Sequence, residues 1–119
     1  MIKITLTGEP KSNQHIYKTV CRGTFGTMYM SAEGKAIKED YGWQAKSQWS
    51  GPPTTKPLRV KSTLYFKIKR NHDIDNYNKL VLDALSGIVW VDDGQIEELS
   101  ITKKYDKIKP RCELVIYEL

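Results

Sequence analysis

Five aspartates and one lysine fall within a single stretch, Asn71 to Gly94, NHDIDNYNKLVLDALSGIVWVDDG, of a chain that is otherwise basic. Clustered carboxylates repel one another, and a small domain gains no stability by grouping them unless a cation or a basic partner offsets the repulsion. Asp73 and Asp75 stand two apart just after a strand-like run; on an extended chain, residues i and i+2 project to one side and their carboxylates converge. Asp75 is also placed to cap the helix implied by Tyr77 to Leu85, with Leu80, Val81, Ala84 and Leu85 on its buried side and Gly87 as its stop. Counting in fours from Asp75 gives Lys79 and Asp83, one helical stripe that aims Lys79 toward the Asp73–Asp75 pair. The plain alternative for Lys79 and Asp83 is an exposed i,i+4 ion pair worth only ~0.3–0.5 kcal/mol. Asp92 and Asp93 form a tight turn with Gly94 after the apolar Ile88 to Val91; turn aspartates are common, and these two gain weight from the company of Asp73 and Asp75.

Three or four carboxylates without a cysteine or a histidine pair favour a hard cation such as Mg²⁺, which takes oxygen ligands and retains waters. A calcium-binding EF-hand does not fit, because its fifth, sixth and twelfth positions would be Tyr77, Asn78 and Ala84. His72 adjoins the pair and is placed to orient a water or a phosphate, although a lone histidine is commonly incidental. Carboxylate-held Mg²⁺ beside Lys79, on a basic protein, is the combination that phosphodiester hydrolysis requires: the metal activates water and offsets charge on the phosphate, and the lysine assists.

The rest of the chain must position these groups. Its 119 residues are enough for one core and too few for two, so a single domain over residues 1–119 is expected. With 39% hydrophobic and 28% charged residues and a mean hydropathy of -0.52, the chain reads as soluble and folded rather than disordered. It holds no apolar run of membrane-spanning length, and Met1 to Thr7 lacks a secretory apolar region, so a cytoplasmic protein with no membrane partner is expected. Cys21 and Cys112 make no zinc spacing and read as two reduced thiols, Cys112 partly in the core. Nineteen Lys and Arg against fourteen Asp and Glu give a net charge of +5, in keeping with a nucleic-acid partner.

Ile2 to Thr7 alternates as a half-buried strand, and Tyr17 to Cys21 with Thr27 to Met30 reads as a hairpin. Ser31 is placed to cap a helix over Ala32 to Trp49, with Ile37, Tyr41, Ala45 and Trp49 inward, stopped by Gly51-Pro52-Pro53; Thr54 to Pro57 reads as an exposed connection. Leu58 to Ile68 is the cleanest strand, with Leu58, Val60, Leu64, Phe66 and Ile68 buried and Arg59, Lys61, Lys67 and Lys69 opposite. Six Lys or Arg and no acid lie between Lys56 and Arg70, a pattern that suits either a solvated strand face or phosphate contact. Ile96 to Tyr105 and Cys112 to Tyr117 complete the strands, with a second basic group at Lys103, Lys104, Lys107, Lys109 and Arg111. This order predicts an α+β domain with a mixed or antiparallel sheet and two main helices.

The pattern Asp73-Ile-Asp75-Asn76-x2-Lys79-x3-Asp83-Ala84-Leu85, followed by Trp90-Val91-Asp92-Asp93, resembles the RusA family of Holliday junction resolvases, common in prophages. The resemblance extends to Pro10-Lys11-Ser12-Asn13 and Ser31-Ala32-Glu33-Gly34 and so covers nearly the whole chain. It implies a homodimeric, Mg²⁺-dependent endonuclease that makes paired nicks in four-way DNA junctions, with a base preference at the cut, in recombination and repair. By position, its metal-binding carboxylates fall on Asp73, Asp75 and Asp93, with Asp92 supporting or as a second ligand, and its essential lysine on Lys79; Asp83 matches a family aspartate. Lys67, Lys69, Arg70, Asn76, Lys79, Ser12 and Asn13 are then the expected DNA contacts. The family's arginine run before the paired aspartates is reduced here to Lys67, Lys69 and Arg70 with Asn71-His72 interposed, and Gly8-Glu9 stands where apolar or proline residues are frequent. Competing readings are a non-catalytic DNA-binding module with a structural metal and an interaction domain for an acidic protein.

Overall fold

A computed structural model describes residues 1–12, 17–22 and 25–119, with side chains at 1–12 and 30–119. Four strands, β1 (Ile2–Thr7), β4 (Leu58–Phe66), β5 (Ile96–Tyr105) and β6 (Arg111–Glu118), form a mixed sheet in the order β1-β6-β4-β5. β1 and β4 run antiparallel to β6, whereas β4 and β5 are parallel. β2 (Tyr17–Arg22) and β3 (Phe25–Met30) pair antiparallel as a separate ribbon, the expected hairpin. Among the described residues two α-helices, α1 (Ala32–Gln48) and α2 (Lys79–Leu85), complete the expected α+β architecture.

Period-two alternation builds the sheet. Leu58, Val60, Ser62, Leu64 and Phe66 on β4, Cys112, Leu114 and Ile116 on β6, and Ile4 and Leu6 on β1 are buried on one face. Tyr41 and Ala45 of α1 and Leu80, Val81, Ala84 and Leu85 of α2 close the same core over that face. Ile37 and Trp49 pack against it half-buried, so the expected inward residues all face the core, although α1 ends at Gln48 and Trp49 is its extended C-cap. Cys112 lies fully within the core, beside Ser62 Oγ at 3.5 Å, and burial pushes its thiol up to about 11.

Ser31 caps α1 as expected: its Oγ accepts from Gly34 N at 3.1 Å, satisfying one of the helix's unpaired amides. The same helix seals the outer edge of the sheet. Gln48 exchanges two hydrogen bonds with the Thr5 backbone, 2.7 Å to N and 2.8 Å to O, and Gln44 Oε1 accepts from Thr7 N at 2.7 Å. Two glutamine amides thus take the place of a further strand, which removes a pairing edge.

Two expected boundaries move. β4 ends at Phe66 rather than Ile68, and Ile68, no longer held by a strand, is 51% exposed instead of buried. Thr54 is buried, not part of an exposed connection: its N donates to Val89 O at 2.9 Å and its O accepts from Val91 N at 3.3 Å, clamping the loop before β4 to the segment that leads into Asp92–Asp93. Among the described residues, no helix is long and apolar enough to cross a membrane.

Candidate active site

The connection from β4 to β5 carries every acidic residue singled out above. Because β4 and β5 are parallel and paired from Leu58↔Ile96 to Phe66↔Tyr105, with one register shift between Leu58 and Arg59, that connection must travel back the length of the pair. It does so across the inward side of β5. Leu99, Ile101, Lys103 and Tyr105 share the inward face with Val60, Ser62, Leu64 and Phe66, yet Leu99 and Tyr105 remain partly exposed, so that side of β5 is only partly covered.

Residues 67–73 fold back over this uncovered end. Lys103 Nζ donates to His72 O at 3.0 Å and Tyr105 Oη to Arg70 O at 3.4 Å, two anchors from the inward face of β5. The His72 ring stacks on Phe66 with centroids 3.8 Å apart and planes 8° from parallel, and its Nδ1 lies 3.2 Å from Tyr77 Oη. Tyr77 meets the Phe66 ring edge-on at 5.0 Å. His72 is therefore a packing residue that fixes the approach of Asp73; three stacked and edge-on rings hold the chain while the side chains of Lys67, Lys69 and Arg70 stay exposed.

Asp73 is followed by a 3₁₀ turn, Ile74–Asn76, closed by Asn76 N to Asp73 O at 3.0 Å. This corrects the extended reading. In a 3₁₀ turn successive residues advance by a third of a turn, so Asp73 and Asp75 do not share a side as they would on a strand. α2 begins only at Lys79, and neither Asp75 nor its N-cap Asn78 makes a side-chain cap. Asp75 therefore stands outside the helical stripe, and the partner that the helix does give Lys79 is Asp83, Nζ to Oδ2 at 3.1 Å. Asp73 and Asp75 are both exposed.

The second pair of acids is built by a buried indole. Gly87, at φ 87°, stops α2 in the left-handed region that glycine tolerates, and the chain turns through Val89 and Trp90, both fully buried. Trp90 Nε1 donates to Asp93 Oδ1 at 2.8 Å. A capping box closes the next 3₁₀ turn, Asp93–Gln95: Asp92 Oδ2 accepts from Gly94 N at 2.9 Å and Gln95 Oε1 accepts from Asp92 N at 2.8 Å. The Gln95 amide also donates to Thr54 O at 2.8 Å and Lys56 O at 2.9 Å, tying the turn to the loop before β4. Asp92 thus shapes the turn, and Asp93 presents a half-buried carboxylate with one oxygen already held.

The electrostatics follow from this placement. Burial raises the Asp93 carboxyl above the usual carboxylate range; the Trp90 N–H opposes that shift, Asp83 and Asp92 add to it, and Lys79 counters them. Asp93, Asp83 and Lys79 are therefore within electrostatic reach of one another. At the other end, burial raises the Tyr77 phenol, with Glu9 and then Asp73 adding to it. Glu9, just before the Pro10-Lys11-Ser12 segment, so joins Asp73, and its proximity had no signal in sequence spacing. The donors are all carboxylate oxygens, the right kind for a hard cation. Among the described residues they form no group of three or more around one point; along the chain Asp73 and Asp75 precede α2, Asp83 lies within it, and Asp92 and Asp93 follow it.

Part of the basic surface is internally neutralised. Arg59 pairs with Glu98, Lys56 with Glu118 at 3.4 Å, and Arg111 with Asp106 and Glu113 at 2.7 and 2.6 Å, so strands distant in sequence supply the acids missing between Lys56 and Arg70. Among the described residues no carboxylate pairs with Lys67, Lys69 or Arg70. Asn76 sits half-buried in the 3₁₀ turn and Ser12 half-buried near the start; Asn13 lies outside the described residues.

Residues 7–117 match the family described as Endodeoxyribonuclease RusA. The chain belongs to that family. It is 27% identical over 117 residues to the crossover junction endodeoxyribonuclease RusA of Escherichia coli K12, covering 98% of this chain and 93% of that protein, and equally to the same-named protein of Enterobacteria phage 82. A Bacillus subtilis protein, YqaN, of uncharacterized function, is 37% identical over 67 residues, 56% of this chain and 36% of its own length. The match takes in the paired aspartates, α2 and the Trp90 turn alike, and its class of activity is hydrolytic cleavage of DNA. Trp90 and Gln95 are the two positioning residues that spacing alone left without a role, although Trp90 at three residues before Asp93, on a turn, was a readable signal.

Proposed function

We propose that this RusA-family chain is a Mg²⁺-dependent, structure-selective endodeoxyribonuclease that resolves four-way DNA junctions by paired symmetric nicks, acting as a homodimer of one domain, residues 1–119, in the cytoplasm. The observation that carries the reading is the family match across residues 7–117, which spans both acidic segments and Lys79. A two-fold dimer suits a junction with two equivalent strands to cut.

In this reading Asp73, Asp75 and Asp93 are the residues that would hold the metal, and Asp92 would support them by fixing the turn. Mg²⁺ bound there would supply positive charge to the scissile phosphate and to the attacking water. Trp90 holds Asp93 Oδ1, which restricts the carboxylate and leaves its second oxygen outside that hydrogen bond. Lys79, kept on the exposed face of α2 by Asp83, places an ammonium where charge develops on the phosphate. Lys67, Lys69, Arg70, Asn76 and the Ser12–Asn13 segment bind the DNA backbone, and the rings of Phe66, His72 and Tyr77 keep the Asp73 segment rigid beneath it.

The test is cleavage of a synthetic four-way junction with Mg²⁺ and mapped cut positions. Symmetric nicks are expected, and Asp75→Asn should abolish cutting while leaving junction binding intact. Equal cleavage of junction and linear duplex would refute structure selectivity and leave a general nuclease.

A further inference from the structure

One aromatic ring lies on the surface away from the residues assigned above. Trp43, on the outer side of α1, is 65% exposed, and Lys46 Nζ sits 5.0 Å from its ring. It borders a groove of about 590 Å³ between α1 and the end of α2. One wall is a single helical stripe, Lys35, Lys38, Gly42, Trp43 and Lys46; the facing wall includes Asp83 and Ile88. Gly42 faces Ile88 across the groove floor, where a Cβ would meet Ile88 Cδ1 at the contact distance of 3.4 Å. Two acids border the groove, Glu39 and Asp83, and Asp83 is paired with Lys79, so three lysines face one uncompensated carboxylate.

We propose that this groove is a DNA-binding site for the branch point, where Trp43 stacks on an open base face and Lys35, Lys38 and Lys46 take the flanking phosphates. The proposal rests on the nuclease reading for its substrate. Leaving an indole two thirds in water forgoes its burial, and a large ring flanked by ammonium groups is the composition that binds nucleic acid through π-faces and phosphates together. Chemistry and position both favour the branch. In a continuous duplex every base face is covered by its neighbours, whereas a junction exposes end faces or splayed bases where strands exchange. The groove also shares Asp83 with the Lys79 ion pair, so a strand lying in it continues directly onto the exposed face of α2. Stacking there would discriminate branched from linear DNA without reading sequence.

The experiment uses the full chain and a junction carrying 5-iododeoxyuridine at the branch, in EDTA so that no cutting intervenes. Wild-type protein should cross-link through Trp43, identified by peptide mass. Trp43→Ala should weaken junction binding roughly 5- to 50-fold, the usual effect of losing one base–aromatic stack, change linear-duplex binding less than about 2-fold, and Trp43→Phe should restore most of the loss. Melting of each variant checks folding; an exposed side chain predicts little change. Unchanged junction binding by Trp43→Ala with no cross-link at residue 43 would overturn the proposal. So would sedimentation showing that Trp43→Ala turns a wild-type dimer into a monomer, which would make this face the contact with a second copy. Cross-linking at Trp43 by a wild-type protein that cuts no junction with Mg²⁺ would sink the nuclease reading and leave the groove standing.

Discussion

Trp90→Phe tests whether the buried indole builds the second acidic segment. Trp90 is fully buried, and its Nε1 lies 2.8 Å from Asp93 Oδ1, so the substitution removes a hydrogen bond to an ionised group and part of a core ring. Bonds to charged partners contribute ~1.5–3 kcal/mol, and because Asp93 is only half-buried, water replaces part of the loss and the lower value, ~1.5 kcal/mol, applies. Trimming a large core side chain adds ~1 kcal/mol through lost contacts and residual cavity. The sum of ~2.5 kcal/mol corresponds to a fall in Tm of roughly 10 °C for a chain of this length. Urea unfolding of Trp90→Phe, Asp93→Ala and the double variant isolates the bond, since the cavity term cancels in the cycle; a coupling of ~1–1.5 kcal/mol is expected. A coupling below ~0.3 kcal/mol would refute the reasoning, because the indole and the carboxylate would then be neighbours without an interaction of consequence.

Asp93→Asn should stabilise the fold at neutral pH while abolishing junction cutting. Its folded-state carboxyl is raised above 3.8, mainly by burial, so the ionised form disfavours folding, and that penalty disappears as pH falls through the folded value toward the unfolded one. The Tm difference between Asp93→Asn and wild type should therefore be positive at pH 7 and shrink toward pH 4; a difference that does not narrow on acidification would contradict this sign. Lys79→Met removes an exposed i,i+4 pair that by itself contributes no more than ~0.5 kcal/mol, yet should slow single-turnover junction cleavage by about 100-fold, the scale of one lost charge-stabilising group. Cleavage within a few-fold of wild type would return Lys79 and Asp83 to a plain surface ion pair.

The strands and α1 were legible because alternation and i,i+4 recurrence report burial directly: Leu58 to Phe66 and Tyr41 with Ala45 face as their spacing demands. What spacing could not report was long-range pairing. Nothing local in Ile96 to Tyr105 says that it lies parallel to β4, and that pairing alone forces residues 67–95 to travel back along the sheet. The start of α2 is hidden in the sequence for a local reason: Ile74–Asn76 tightens into a 3₁₀ turn, so counting in fours from Asp75 crosses a change of helix type and loses its meaning. Gln44 and Gln48 carried no signal at all, since a glutamine that seals a strand edge has the same sequence context as one in water.

The parallel pair also explains why acids sit where stability alone would not put them. Helices α1 and α2 close the core over β1, β6 and β4, which leaves the inward face of β5 to be spanned by the connection itself. A segment in that position must be held by specific contacts rather than by general burial, and it is: two hydrogen bonds from Lys103 and Tyr105, a stack of Phe66 on His72, and the Trp90 indole at the far end. Each of these fixes backbone or a single carboxylate oxygen and leaves the Asp73 and Asp75 side chains exposed. Rigid backbone beneath solvent-facing carboxylates is what the proposed cation and phosphate site needs, because a segment already held in place loses little freedom when a ligand arrives.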